Sequence, residues 1–338
     1  MKKRYWLLSS LFFFAAFYLA GPKPKEPEYN SFAIPALPAM SGDALENYVA
    51  QKESKHKVKQ GNEAKIIWAD DSLKNKTKLS VIYLHGFSAS HEEGNPIHYR
   101  FAEKYEMNLY LARLADHGVD TTDVLLNCTV DRLWNSAKEA LQIGLSLGEK
   151  VIILSTSTGS TLAMKLAAEY PDKVEALIQM SPNVGINNNA AFLLNDHWGL
   201  HIARMVQGSK YNITNIDTTS IRAQFWNAKY RLEALTELQE LLETSMTEEV
   251  FSKIHQPVLN LYYYKSETEQ DPQVKVSAML QMHEMLATKK ELKKAKAIPS
   301  AGAHVLGSKW ASKDVETVWN EIVSFADSVL MLKPIQQK

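Results

Sequence analysis

The chain has 338 residues, 45% of them hydrophobic and 22% charged, with 14 Gly and 12 Pro, a globular composition with room for one large domain or two small ones. Basic and acidic residues balance at 38 each, so no charge excess points to nucleic acid or to an acidic partner. The single cysteine, Cys128, excludes an internal disulfide and a cysteine-built metal site, and in L-L-N-C-T-V-D it reads as a small buried apolar residue.

Lys2, Lys3 and Arg4 precede an apolar run from Tyr5 to Gly21. As a helix this run covers roughly 25 Å, a little short of the ~30 Å hydrocarbon core, a gap that thinning or flanking residues can close. The run lacks a good A-x-A cleavage site, because Tyr18 lies two places before Ala20 and Pro22 crowds the other option. Residues 1–21 therefore read as an uncleaved signal anchor in the cell membrane. The basic flank stays in the cytoplasm and the rest faces the periplasm or exterior. A cleaved signal peptide that releases the protein to the periplasm is the alternative. Pro22, Pro24, Pro27, Pro35 and Pro38 make residues 22–41 an extended tether. Beyond residue 21 the charge is 35 basic against 38 acidic residues, which gives no electrostatic grip on anionic lipid.

From residue 42 onward strands and helices alternate. A short capped helix in S-G-D-A-L-E-N-Y-V-A leads to a strand in E-A-K-I-I-W-A and a second in K-L-S-V-I-Y-L, which ends at His85-Gly86. P-I-H-Y-R-F-A-E-K-Y-E is helical, N-L-Y-L-A-R-L a strand, and V-D-R-L-W-N-S-A-K-E-A-L-Q-I-G-L carries apolar residues at helical spacing. K-V-I-I-L is a short all-apolar strand of the doubly buried kind, followed by the helix G-S-T-L-A-M-K-L-A-A-E-Y and the strand V-E-A-L-I-Q-M. The rhythm breaks over about 183–256, where Asn-rich loops and strongly helical sequence show no strand. It resumes with Q-P-V-L-N-L-Y-Y-Y, a helix around V-S-A-M-L-Q-M-H-E-M-L, the strand A-K-A-I-P and a last helix over about 314–333. The expected architecture for 42–338 is a mostly parallel sheet with helices on both faces and a helical cap inserted over one end.

Three of these strand ends carry candidate chemistry, since parallel sheets place working residues at the carboxyl ends of their strands. After V-I-Y-L, the turn H-G-F-S leaves Phe87 as a backbone donor for a developing oxyanion. After K-V-I-I-L, the turn S-T-S-T-G offers Ser157 as a nucleophile, with small neighbours that let strand and helix pack closely. Ser155 stands where such a turn carries glycine, and adds only a hydroxymethyl group. After A-I-P, the loop S-A-G-A-H-V-L-G-S holds His304. Asp196, His197 and His201 lack further ligand-type partners nearby and read as cap or surface packing, so no metal site is expected.

These motifs, with A-R-L-A-D-H-G at 112–118, Q-P-V-L-N-L at 256–261 and G-A-H-V-L at 302–306, resemble the α/β-hydrolase superfamily, in particular its monoacylglycerol lipase and bacterial carboxylesterase branch. The likeness runs from about residue 62 to the end. It implies Ser157 as nucleophile, His304 as general base, and the backbone N–H groups of Phe87 and Thr158 as an oxyanion hole. The orienting acid would follow V-L-N-L-Y-Y-Y, where the chain reads K-S-E-T-E-Q-D-P-Q-V without the family's Gly. Counting from Tyr264 selects Glu267. The apolar sequel to Asp271 and its spacing to His304 favour Asp271, with Glu267 second and Glu269 third. His117 resembles a loop-shaping position and is assigned no chemistry.

The resemblance implies hydrolysis of carboxylic esters through an acyl-enzyme, without metal or organic cofactor, and an anchor makes lipid esters an attractive substrate class. Acyl transfer or thioester cleavage by the same residues is one alternative. The other is a catalytically silent, membrane-tethered binding module, which the Ser155 replacement and the missing Gly would suit. Phe192, Leu193, Leu194, Trp198, Phe225 and Trp226 of the insertion are candidates either to line an acyl pocket or to form the core of the cap.

Overall fold

A computed structural model describes residues 12–29, 37 and 42–334. A helical stretch over 12–19 (α1) is followed by a non-helical segment to residue 29. Much of the apolar run, residues 5–11, and much of the tether lie outside the described residues. Among the described residues no helix is long and apolar enough to cross a membrane.

The body opens with α2 (Asp43–Glu53), β1 (Lys65–Ile67), β2 (Thr77–Leu84), α3 (Ile97–Lys104), β3 (Asn108–Leu111), α4 (Val130–Leu147), β4 (Gly148–Thr156), α5 (Thr158–Glu169) and β5 (Val174–Met180). After an insertion it continues with β8 (Val258–Tyr262), a hairpin of β9 (Tyr264–Ser266) and β10 (Glu269–Gln270), then α10 (Val276–Met285), β11 (Lys293–Ala297) and α11 (Val315–Ser328). Seven strands form one sheet in the order β1-β3-β2-β4-β5-β8-β11. Only β1 pairs antiparallel to its neighbour, and the other pairings are parallel.

Alternation of side chains along the central strands divides the core into two layers. Ile82 and Leu84 of β2, with Val151 and Ile153 of β4, pack against α2, α4, α5 and α10. Val81 and Tyr83, with Ile152 and Leu154, face the opposite way and pack against α3 and α11. Because both faces of these strands are covered, their sequences read as unbroken apolar runs rather than alternating ones.

The insertion contains α6 (Gly199–Gln207), β6 (Tyr211–Ile213), α7 (Arg222–Phe225), β7 (Lys229–Arg231), α8 (Glu233–Ser245) and α9 (Glu248–Phe251). The expectation that it holds no strand is corrected: β6 and β7 pair as an antiparallel ribbon, Tyr211 opposite Arg231. Three-residue strands of mixed polarity, Y-N-I and K-Y-R, are too short to show a period in sequence.

The Pro-rich segment does not run free of the body along its described length. The Asp131 carboxylate of α4 accepts the backbone N–H groups of Glu28 and Tyr29, and the Tyr29 ring meets Trp134 edge-on. The Lys165 ammonium sits 4.0 Å from the centroid of the Tyr29 ring. Nearer the N-terminus, Phe17 stacks on Trp198 at 4.9 Å, His197 Nδ1 meets the Gly21 carbonyl at 2.6 Å, and the Tyr18 hydroxyl bonds Asp196. Asp196 and His197, weighed above as metal ligands, thus hold the N-terminal segment.

Candidate active site

Four strand ends converge on one side of the sheet. At the end of β4 the chain reverses sharply into α5, and Ser157 occupies the turn with φ 53° and ψ −120°. Such a positive φ is costly for a residue with a side chain and persists only where the surroundings impose it. Here Ser157 N–H donates to the Met180 carbonyl at 3.0 Å, and the Ser157 carbonyl accepts from Ser160 and Asn183. Gly159 is sterically required: a Cβ there would lie 2.0 Å from the Leu84 carbonyl oxygen. Ser155 fits without strain, fully buried, its hydroxyl 2.9 Å from that of Ser160.

The turn after β2 is tied down from several sides. His85 Nε2 accepts the Leu114 N–H at 3.0 Å, and its Nδ1 faces the Gly86 carbonyl at 2.8 Å. The Ser88 carbonyl accepts the backbone N–H of Asn227, which brings the cap down onto this turn. Among the described residues neither Phe87 N–H nor Thr158 N–H donates to an acceptor. His117 is buried, with Nδ1 2.8 Å from the Ala115 carbonyl, and lies against the rings of His85 and Phe87.

His304 follows β11 and Asp271 follows the β9–β10 hairpin. His304 Nδ1 lies 2.7 Å from Asp271 Oδ2. The other carboxylate oxygen, Oδ1, accepts backbone N–H from Gln273 at 2.8 Å and from Val274 at 3.1 Å. Burial alone would push the Asp271 carboxyl up; the positive charge and hydrogen bond of His304, with the two backbone donors, outweigh it and hold the group below its ordinary value. Burial likewise pulls His304 down, and the Asp271 charge and hydrogen bond, aided by the Glu93 charge, leave it raised. The Ser181 hydroxyl donates to the His304 carbonyl at 2.7 Å and fixes the backbone of its loop.

The hairpin also sorts the three acids considered for this place. Glu267 sits exposed at its tip, bonded to the Tyr264 hydroxyl at 2.7 Å. Glu269 is exposed as well, paired with Lys265 and accepting from the Tyr263 hydroxyl at 3.1 Å. Only Asp271, fully buried, meets His304.

Ser157 and His304 line one cavity of about 570 Å³, together with Phe87, Thr158, Trp226 and Tyr230. That volume suits a ligand of drug-like size. Of the six insertion residues weighed as pocket or cap core, only Trp226 reaches this wall. Phe192 and Leu193 are exposed, Trp198 stacks on Phe17, and Phe225 packs beside Trp226.

The cavity also holds an acid that the sequence reading passed over. Glu93, in a 3-10 turn at His91–Gly94, is buried, and its Oε2 accepts the Gly86 N–H at 2.5 Å. The Tyr83 hydroxyl lies 3.4 Å from the same oxygen and 2.9 Å from the Thr156 hydroxyl. Burial pushes the Glu93 carboxyl up to about 7, against the opposing pull of Gly86 N–H, the His304 charge and the side chains of Trp226 and Tyr83. In sequence Glu93 is one of two adjacent acids in a loop, and nothing local separates a buried carboxylate from a solvated one.

Among the described residues no cluster of His, Cys, Asp and Glu is arranged to hold a metal ion. The sheet order, the strand-to-helix turn at Ser157 and the inserted cap define an α/β-hydrolase fold. Solved structures with that fold bear this out. A structure of the metagenome-derived lipolytic enzymes LipS and LipT is similar at 14% identity and TM-score 0.63, covering 79% of this chain and 98% of that one. The monoacylglycerol lipase of Paleococcus ferrophilus is similar at 13% identity and TM-score 0.55, covering 78% and 98%. Est1E of Butyrivibrio proteoclasticus, with ferulic acid bound, is similar at 18% identity and TM-score 0.53, covering 80% and 95%. No protein-family model matches the sequence, and no curated protein matches it either.

Proposed function

We propose that this protein is a serine hydrolase of carboxylic esters, with Ser157 as nucleophile, His304 as general base and Asp271 as the acid that orients it. The observation that carries the reading is the 2.7 Å contact between His304 Nδ1 and the buried Asp271 carboxylate, with His304 and Ser157 lining the same cavity. With Nδ1–H donated to Asp271, Nε2 is left as the acceptor that a serine hydroxyl needs. His304 takes the Ser157 proton as Oγ attacks the acyl carbonyl, and the oxyanion rests on the N–H groups of Phe87 and Thr158. The imidazolium then protonates the leaving alcohol, and water activated by the same histidine releases the acid from Ser157. Every proton in this scheme moves on the chain's own side chains. The lipolytic and esterase activities named for structures of the same fold favour an ester as substrate.

The test is labelling with a fluorophosphonate probe alongside turnover of short p-nitrophenyl esters. Ser157→Ala should abolish the label and lower kcat at least about a thousandfold. Label and turnover at the unsubstituted level would refute the assignment, and an inert wild-type chain would favour the silent binding module.

In the same reading the N-terminal run holds the body at a membrane, with the site on the outer side. Support comes from exposed Phe12, Phe13, Phe14 and Phe17 on α1, and from exposed Met205 and Val206 on α6, whose N-cap residue Trp198 stacks on Phe17. Fractionation of cells that produce the full chain decides it: recovery in the soluble fraction without detergent rejects the anchor.

A further inference from the structure

Glu93 stands beside the proposed nucleophile and takes no part in the scheme above. An ideal Cβ on Gly86 would lie 2.8 Å from Glu93 Oε1 and 3.1 Å from Ser157 Cβ, so the carboxylate and the nucleophile are close neighbours across Gly86. At a separation of about 6 Å or less, a buried charge such as Glu93 still acts strongly on a second charge. Apart from His304, the charged residues on this cavity's wall are Glu93 on the sheet side and Arg222 on the cap. The Arg222 guanidinium is 5.4 Å from the centroid of the Trp226 ring. The cavity therefore has a negative floor near Ser157 and a positive group in its cap.

We propose that Glu93 selects the acyl group: its carboxylate turns away esters that carry an acid near the reacting carbonyl and admits neutral and cationic ones. The inference rests on Ser157 being the nucleophile of an ester hydrolase, and it adds the substrate class. With His304 neutral, as the reaction needs, a carboxylate on the acyl chain enters beside Glu93 with no cation on the sheet side to offset it, whereas an alkyl chain meets no penalty. The groups facing Glu93 are the Gly86 N–H, the Tyr83 hydroxyl, Trp226 and His304, with Glu92 next in the chain and also acting on Tyr83. Since the carboxyl titrates near pH 7, the discrimination is full above that pH and relaxes below it as Glu93 takes up a proton.

The experiment compares p-nitrophenyl pentanoate with its isosteres ending in a carboxylate (the hemiglutarate) and in a trimethylammonium group, with spontaneous hydrolysis subtracted. For the wild type the ratio of kcat/KM for the anionic ester to that for the neutral one should be low at pH 8 and rise as the pH falls toward 6. In Glu93→Gln, which keeps an acceptor for Gly86 N–H, the ratio at pH 8 should rise at least about tenfold, lose its pH dependence, and the preference for the cation should vanish. Taking the ratio cancels the titration of His304, which both esters need, and cancels any loss from a disturbed turn. A ratio unmoved by Glu93→Gln, or moved by Arg222→Gln instead, overturns the proposal while leaving the hydrolase reading intact. Should Glu93→Gln not fold, a wild-type ratio that is flat from pH 6 to 8 overturns it. A wild type that cleaves none of the three esters and takes no fluorophosphonate label overturns both.

Discussion

Asp271 and Glu267 are four residues apart in one acidic loop, yet one is sealed against His304 and the other faces solvent with only a tyrosine hydroxyl for company. Asp271→Asn should therefore lower kcat by about ten-thousandfold, since the amide cannot stabilise the imidazolium and favours the wrong tautomer. Glu267→Gln should stay within about twofold of the wild type, as expected of an exposed polar contact. The reverse result would move the acid to Glu267. A second outcome concerns pH. In the proposed scheme the neutral imidazole is the base, so kcat/KM should rise with pH as His304 loses its proton. Asp271 and Glu93 hold that proton more tightly, so the acid limb should be centred above the ordinary imidazole value, and Glu93→Gln should shift it downward. A limb at or below the ordinary value for the wild type would contradict the arrangement of charges described here. The sharp turn at Ser157 and the late loop that holds His304 were legible from chain order; the burial of Glu93 was not, because it depends on what surrounds it.

The turn between β4 and α5 is where local sequence and packing agree most closely. Its small residues are required by contact: a side chain at Gly159 would strike the backbone of β2. Gly159→Val should cost about 3 kcal/mol or more in denaturant unfolding, because the helix cannot retreat without breaking its contacts with the sheet. Ser155, the residue that departs from the usual pattern, makes a buried hydrogen bond with Ser160. Ser155→Gly should lose only about 1 kcal/mol and keep its activity, which denaturant melts and ester assays would check. The central strands were readable because short unbroken apolar runs between helices, V-I-Y-L in β2 and V-I-I-L in β4, suit a doubly covered sheet. The cap was less readable. Its two strands have three residues each, and its aromatic residues look alike in sequence whether they face a ligand, solvent or the N-terminal segment.

At the scale of the whole molecule, the described part of the Pro-rich segment behaves as part of the body. Tyr29 packs on Trp134 and Lys165 and bonds Thr244, while Asp131 holds its backbone. Tyr29→Ala should therefore lower unfolding stability by about 1–2 kcal/mol, where a free linker would show no change. Over residues 22–29 the chain is unhelical, as its prolines predict; they carried no information about docking, since the partners lie a hundred residues or more further on. The same division holds for the protein as a whole. The alternation of strands and helices, the place of the insertion, the sharp turn at Ser157 and the late histidine could be read from residue order alone, because each follows from periodicity, side-chain size or chain order over short stretches. Which acid meets His304, which of the weighed insertion residues reaches the cavity, and the burial of Glu93 beside the serine emerge only in the folded chain. Those outcomes depend on burial and on approach between segments far apart in the chain, and a carboxylate's chemistry is set by its surroundings rather than by its neighbours in sequence.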